Sequence, residues 1–278
     1  MDTPYIFTDN QDPSVSPNLS VIFDFERNFD IERNIKWLNE HWHHAFYYAG
    51  LYLLIIFGVK KYMKNRPQLE LRKLLVTWNI LLATFSILAF IRTVPEFIHV
   101  LQKFGLTYSA CNSSYLFGKD TAFWAWMYSY AKVPELLDTL FIVLRKQPLI
   151  FLHWYHHITV LLFTWYAHVN HVAVGRWYLA MNSFVHSLMY TYFALRCLRI
   201  KTPRIFALTI TFLQILQMIL GFYVTYLSYV TVHKGEPCHQ KANVAIYGLL
   251  IYGSYFVLFA RFFYYSYLSP PNKAKKSV

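Results

Sequence analysis

Charge is what this sequence has least of. Asp, Glu, Lys and Arg make up 14% of its 278 residues, against about 25% in a soluble domain. That deficit, beside 56% hydrophobic and 20% aromatic residues, argues against a water-soluble globule and for a polytopic membrane protein. Acid is the scarcer sign, 14 residues against 26 basic ones, for a formal charge of +12. The basic residues stand in short blocks beside apolar segments and no nucleic-acid-binding motif accompanies them, so the excess fits topology and a polyanionic substrate, not nucleic acid. No signal peptide opens the chain: residues 1–34 hold seven acidic residues and no apolar core of the required length. Cysteine occurs only three times, and no internal repeat or composition break divides the chain, which reads as one domain.

What is present is a series of long apolar segments. Residues 1–28 are polar and proline-containing and read as a flexible tail. Ile31, Ile35, Leu38 and Trp42 recur at helical spacing and predict an amphipathic helix over 29–44, lying at the membrane surface. Seven segments near the roughly 20 residues needed to cross a bilayer follow at about 45–60, 74–94, 121–144, 149–168, 174–197, 204–231 and 243–267. The expected fold class is therefore all-α and polytopic, with seven spans over about 45–268 and a basic tail over 269–278.

Orientation follows from the loops. Lys60, Lys61, Lys64, Arg66, Arg72 and Lys73 crowd the first connection; Arg145 and Lys146 mark the third, and Arg196, Arg199, Lys201 and Arg204 the fifth. The even-numbered connections are poorer in Lys and Arg. The positive-inside rule places the odd loops and the C-terminus in the cytosol and the N-terminus in the lumen. Two glycosylation sequons, at Asn18 and Asn112, then fall on the luminal side. Cys111 and Cys238 do too, and as the only luminal cysteines in an oxidising compartment they are expected to pair. Lys275 and Lys276, third and fourth from the C-terminus, resemble a dilysine retrieval signal of the endoplasmic reticulum.

Polar residues inside the spans carry the functional signal. His153, His156 and His157 stand at i, i+3 and i+4 and share one helix face. Alone they fit a metal site, a set of nucleophiles and proton carriers, or a polar cap. Span three carries Lys132, Glu135 and Asp138; span five carries Asn182, His186 and Tyr190; span six carries Thr211, Gln214 and Gln217. At a rise of about 1.5 Å per residue, these groups fall roughly 8 to 20 Å in from the cytosolic flanks. Four helices thus bring polar groups to one layer, as a pocket open to the cytosol would need. Glu135 and Asp138 are expected to pair with Lys132, since an unpaired charge at that depth is costly.

The ordered segments Lys-x-x-Glu-x-x-Asp-Thr (132–139), HxxHH (153–157), His-x-x-Met-Tyr-x-Tyr (186–192) and Thr-x-x-Gln-x-x-Gln (211–217) together resemble the signature of the ELO family, the elongases of very-long-chain fatty acids. The likeness covers roughly residues 30–270 and is closest to the subgroup acting on saturated and monounsaturated chains. Phe193 departs from it, standing where a second tyrosine is usual. The resemblance implies six helices forming a barrel around a narrow tunnel in the endoplasmic-reticulum membrane, and a likeness to homodimers. It implies a 3-oxoacyl-CoA synthase that joins an acyl-CoA to malonyl-CoA with loss of CO2 and CoA, needs no tightly bound cofactor, and feeds a ketoacyl reductase, a dehydratase and an enoyl reductase.

The residues fit that chemistry. No cysteine reaches the polar layer, so a neutral imidazole is the remaining good nucleophile. His156 is expected to accept the acyl group, with His186 sharing nucleophile or proton-transfer duty and His153 and His157 orienting and relaying protons. Lys132, Asn182, Gln214 or Gln217 would stabilise negative charge on the thioester oxygen. Arg145, Lys146, Arg199, Lys201 and Arg204 are candidates for the CoA phosphates. A membrane di-iron desaturase or hydroxylase is the rival reading, but it needs about eight histidines on one side of the membrane. Only His153, His156, His157 and His186 share the layer. A seven-helix receptor fits less well, because the polar groups converge on the cytosolic half.

Overall fold

The computed structural model describes residues 22–269, and within them the chain is helical and without strands. Asn18, Lys275 and Lys276 lie outside the described residues. A single helical turn, α1 (Asp24–Arg27), precedes α2 (Ile31–His41), whose N-cap Asp30 accepts the Arg33 N–H. α3 (His44–Met63) follows at a bend of 60°. The remaining long helices are α4 (Arg72–Cys111), α7 (Phe151–Val169), α8 (Gly175–Cys197), α9 (Arg204–His233) and α10 (Ala242–Phe263), with two short ones, α5 (Ala122–Ala131) and α6 (Leu137–Leu144), between α4 and α7.

Three of these are long and apolar enough to cross a membrane unaided: α4, α9, and α10 with the π-helical turn that continues it to Leu268. The bent α2–α3 pair makes a fourth. The other expected spans are helical but miss that standard for a physical reason. α7 and α8 spend apolar positions on His153, His156, His157, Arg176, Asn182 and His186. The third expected span is broken in two.

The break lies at Lys132–Leu136. Pro134 has no N–H to continue the α-helical ladder, so Val133 bonds back to Tyr130 and Leu136 to Val133, three residues rather than four, and Pro134–Leu136 form a 3₁₀ turn. The second expected span errs the other way. Expected to stop at 94, it runs through Pro95 and ends at Cys111, so much of the expected second connection is helical. The conformational break comes later, at Gly105, where φ is 84°; glycine takes that region at little cost.

Packing places α4 along α8, α9 along α10, and α3 against α6 and α7. Cys111 and Cys238 are joined, tying the end of α4 to the connection between α9 and α10. Beside this bridge a buried guanidinium organises the loop after α4. Arg176 donates to both Glu96 carboxylate oxygens, to the carbonyls of Ser109 and Asn112, and to Ser114 Oγ. A second clasp holds α1: Glu26 accepts from Arg92 and from Trp124 Nε1. Burial alone would raise the Glu26 carboxyl, but these bonds and one from the Phe23 N–H outweigh it and leave the group below its ordinary pKa.

Asn112 was expected to be a glycosylation site. Its side chain is buried and its Oδ1 accepts the Ser114 N–H, with Ser113 and Ser114 buried beside it. A glycan there has no room in the folded chain. Asn112→Gln should leave electrophoretic mobility unchanged with and without glycosidase treatment; a glycosidase-sensitive band that this substitution abolishes would contradict the packing.

Candidate active site

A cavity of about 550 Å³ opens between α4, α6, α7, α8, α9 and α10. Its wall carries Asp138, His153, His156, His157, Asn182, His186, Tyr190, Thr211, Gln214 and Gln217, so residues as far as 79 positions apart in sequence share one space. A narrower chamber of about 50 Å³ continues from it. The two share His156, Asn182, Gln217 and Met218 as lining, and the narrow one runs on to Ala167 and His168. His156 therefore stands where a wide antechamber, into which the imidazoles, amides and Asp138 are gathered, meets a narrow, largely apolar continuation.

The imidazoles are held differently from one another. His153 Nε2 is 2.8 Å from Thr139 Oγ1, which is 2.7 Å from the Tyr52 hydroxyl, so a chain of hydroxyls from α3 fixes this ring. The His153 and His157 rings lie 4.5 Å apart, and those of His156 and His157 5.6 Å apart. His157 Nδ1 is buried without a hydrogen-bond partner. The His156 ring is 4.9 Å from that of Tyr255, whose hydroxyl is in turn hydrogen-bonded to Thr159. From the facing helix α8, His186 packs edge-on against Tyr190. Tyr190 donates to Asp138 Oδ2, and Trp78 Nε1 donates to Asp138 Oδ1.

Not every expected role survives in this geometry. Lys132 and Glu135 do pair, at 2.7 and 3.0 Å, but the expected partnership of Asp138 with Lys132 is replaced by its bonds to Trp78 and Tyr190. Neither Lys132 nor Glu135 lines either cavity. The 3₁₀ turn carries the ammonium behind the wall, where it also donates to Asn182 Oδ1 and lies 4.5 Å from the Tyr128 ring centre. Lys132 thus reaches the site through Asn182 and does not face it. Of the cations expected to meet CoA phosphates, Arg145 lines the cavity. Lys146 is turned away, donating to the carbonyls of Lys64 and Arg66, and Arg204 donates to the Ser266 carbonyl. Arg199 and Lys201 are exposed and lie off the lining.

Tyr52, Trp78 and Tyr255 are the site residues that sequence reasoning missed. Each is an aromatic in an apolar helix, and aromatics are too common here to stand out. Only the pairing of Tyr52 and Trp78 with the adjacent Thr139 and Asp138 reveals them. Among the described residues, no group of three or more His, Cys, Asp or Glu is arranged to hold a metal ion. The three histidines of α7 spread along a wall and do not converge on a point.

The chain is similar to known proteins along most of its length. The model of the ELO family, described as the GNS1/SUR4 family, matches residues 37–275. A Drosophila melanogaster protein named very long chain fatty acid elongase 6 is 48% identical over 264 residues, 94% of this chain and 84% of its own length. Proteins of the same name from Gallus gallus and Homo sapiens are 44% and 42% identical, over 93% and 94% of this chain and 99% of their own lengths. With the family model spanning most of the sequence and these relatives 42% to 48% identical, this chain belongs to the ELO (GNS1/SUR4) family.

Proposed function

We propose that this chain is the condensing enzyme of fatty-acid elongation, a very-long-chain 3-oxoacyl-CoA synthase, and that His156 is its nucleophile. The observation that carries the reading is the place of His156, at the junction of a broad cavity that carries the polar side chains with a narrow one that carries few. The first suits a CoA thioester and the second an alkyl chain.

One imidazole nitrogen of His156 attacks the thioester carbonyl carbon. The C–S bond breaks, CoA leaves as the thiol, and the acyl group remains as an acyl-imidazole. Malonyl-CoA then loses CO2; the electron pair of the broken C–C bond becomes an enolate, which attacks the acyl carbonyl and expels the imidazole. The product is a 3-oxoacyl-CoA two carbons longer. His186, facing α7 from α8, exchanges protons with the leaving groups. Asn182, Gln214 and Gln217 line the space where negative charge develops on the carbonyl oxygen. His153, tethered to Thr139, and His157 orient the reacting ring. Arg145 at the wall is the best-placed cation for a CoA phosphate.

The setting proposed for this chemistry is seven spans, six of them enclosing the tunnel, in the endoplasmic-reticulum membrane. The N-terminus is luminal and the C-terminus cytosolic, the protein is a homodimer, and its product passes to a ketoacyl reductase, a dehydratase and an enoyl reductase. Purified protein in lipid nanodiscs should convert an acyl-CoA and labelled malonyl-CoA to a labelled 3-oxoacyl-CoA. Absence of that product, or stoichiometric iron with oxygen-dependent desaturation, would overturn the reading.

The tether predicts a graded effect. Tyr52→Phe should lower kcat about 5- to 10-fold by releasing Thr139, roughly the 1–1.5 kcal/mol of one hydrogen bond, with KM unchanged. A rise in KM at constant kcat would place Tyr52 in substrate binding instead.

A further inference from the structure

The narrow chamber ends against a residue that no motif singled out. Beyond His156 it follows α7 for twelve residues to His168, about 18 Å at 1.5 Å per residue. At that end it is lined by Tyr115, Ala125, Gly175 and Leu179. Tyr115 comes from the 3₁₀ turn Ser114–Leu116, part of the stretch whose Asn112 reads in sequence as a glycosylation site. We infer that Tyr115 is the stop of the acyl tunnel and sets the longest chain the enzyme accepts, an assignment that rests on the condensing function proposed above.

Three features make Tyr115 a fixed stop instead of a movable side chain. Its hydroxyl donates to the Val172 carbonyl at 3.0 Å. Its ring lies against Arg176, 5.5 Å from the guanidinium, which is itself locked by Glu96 and the carbonyls of Ser109 and Asn112. The ring's end also rests in a notch that only glycine leaves open: a Cβ on Gly175 would stand 2.0 Å from the Tyr115 hydroxyl oxygen. Upstream, the Cys111–Cys238 bridge anchors the turn. A residue filling the core for stability alone needs neither a cavity in front of it nor bracing from behind. Tyr115 has both, and its core neighbours Ala125 and Leu179 line the same chamber.

The test is a competition among saturated acyl-CoAs of increasing length with malonyl-CoA, read as the ratio of turnover between lengths. Tyr115→Ala should move the cut-off upward by about two to four carbons, the length of the removed ring at C–C bonds of about 1.5 Å. Tyr115→Phe keeps the ring and should keep the ratio. Ala125→Leu narrows the chamber from beside Tyr115 and should move the cut-off downward by about two carbons, which provides a second arm if Tyr115→Ala does not fold. An unchanged cut-off in a folded Tyr115→Ala protein with its disulfide intact, or in Ala125→Leu, overturns the assignment. Loss of condensation by the unaltered protein at every length would instead be a failure of the proposed function.

Discussion

His156→Ala is expected to lower condensation at least about 10³-fold, the range seen when a nucleophile or its proton-transfer partner is removed, with no change in fold. The reason is positional. His156 is the one histidine that fronts both the wide cavity and the narrow chamber, so a thioester whose alkyl chain lies in the chamber presents its carbonyl there. The half-buried imidazole makes no structural hydrogen bond that would explain its place; its neighbours are the rings of Tyr255, Phe259 and His157. Incubation with acyl-CoA alone, without malonyl-CoA, should leave an acyl mass on the α7 peptide of the unaltered protein and none on His156→Ala. If CoA release strictly requires malonyl-CoA and no adduct forms, the covalent route is wrong even if His156 is essential. His186→Ala separates nucleophile from proton carrier: it should slow formation of the adduct without abolishing it.

Glu135→Ala should destabilise the protein by about 3–5 kcal/mol, because it leaves the Lys132 ammonium buried and uncompensated. Both partners are almost fully enclosed, with side chains 2% and 4% exposed. The double variant Lys132→Met with Glu135→Met should recover most of that loss, since exchanging a buried pair for apolar residues of similar size is often neutral or stabilising. Unfolding in detergent as a function of temperature measures both. Activity then tells structure from chemistry. If Lys132 acts through Asn182, the stable double variant should lose turnover about 10-fold, and Asn182→Ala in that background should cost little more. Full activity in the double variant would assign the pair to the fold alone.

The two predictions mark where the sequence was informative and where it was not. Helix positions were legible because the apolar runs are long and the loop charges segregate, and α3, α7, α8, α9 and α10 fall within a few residues of the expected spans. The histidines, amides and Asp138, which line one cavity, were legible as a group because ionisable residues in four apolar helices are costly and need a common explanation. The direction of Lys132 was not. Helical spacing puts Lys132, Glu135 and either Asp138 or Thr139 near one stripe, but across the break at Pro134 the side chains part. The first two fold behind the wall and Asp138 remains on it. Nor could loop charge reveal which cations face the cavity, since Lys146 and Arg204 are occupied by backbone carbonyls. The continuation of α4 past residue 94 was not legible, because the apolar run that marks the span gives way there to polar residues such as Glu96 and His99.

That same turn at Pro134 bears on how the protein is made. α5 has ten residues and α6 eight, each well short of the roughly 20 that a free-standing span requires, and a lysine and a glutamate lie between them. Such a segment is a poor substrate for insertion by itself, at a cost of a few kcal/mol for each charge near the bilayer centre. Its stability in lipid comes from elements on either side: Tyr52 of α3 and Trp78 of α4, made earlier, and His153 of α7 and Asn182 of α8, made later. Co-translational membrane entry should therefore stall at α5–α6 until α7 and α8 have left the ribosome. The order of synthesis then makes the wall of the large cavity the last part of the protein to close.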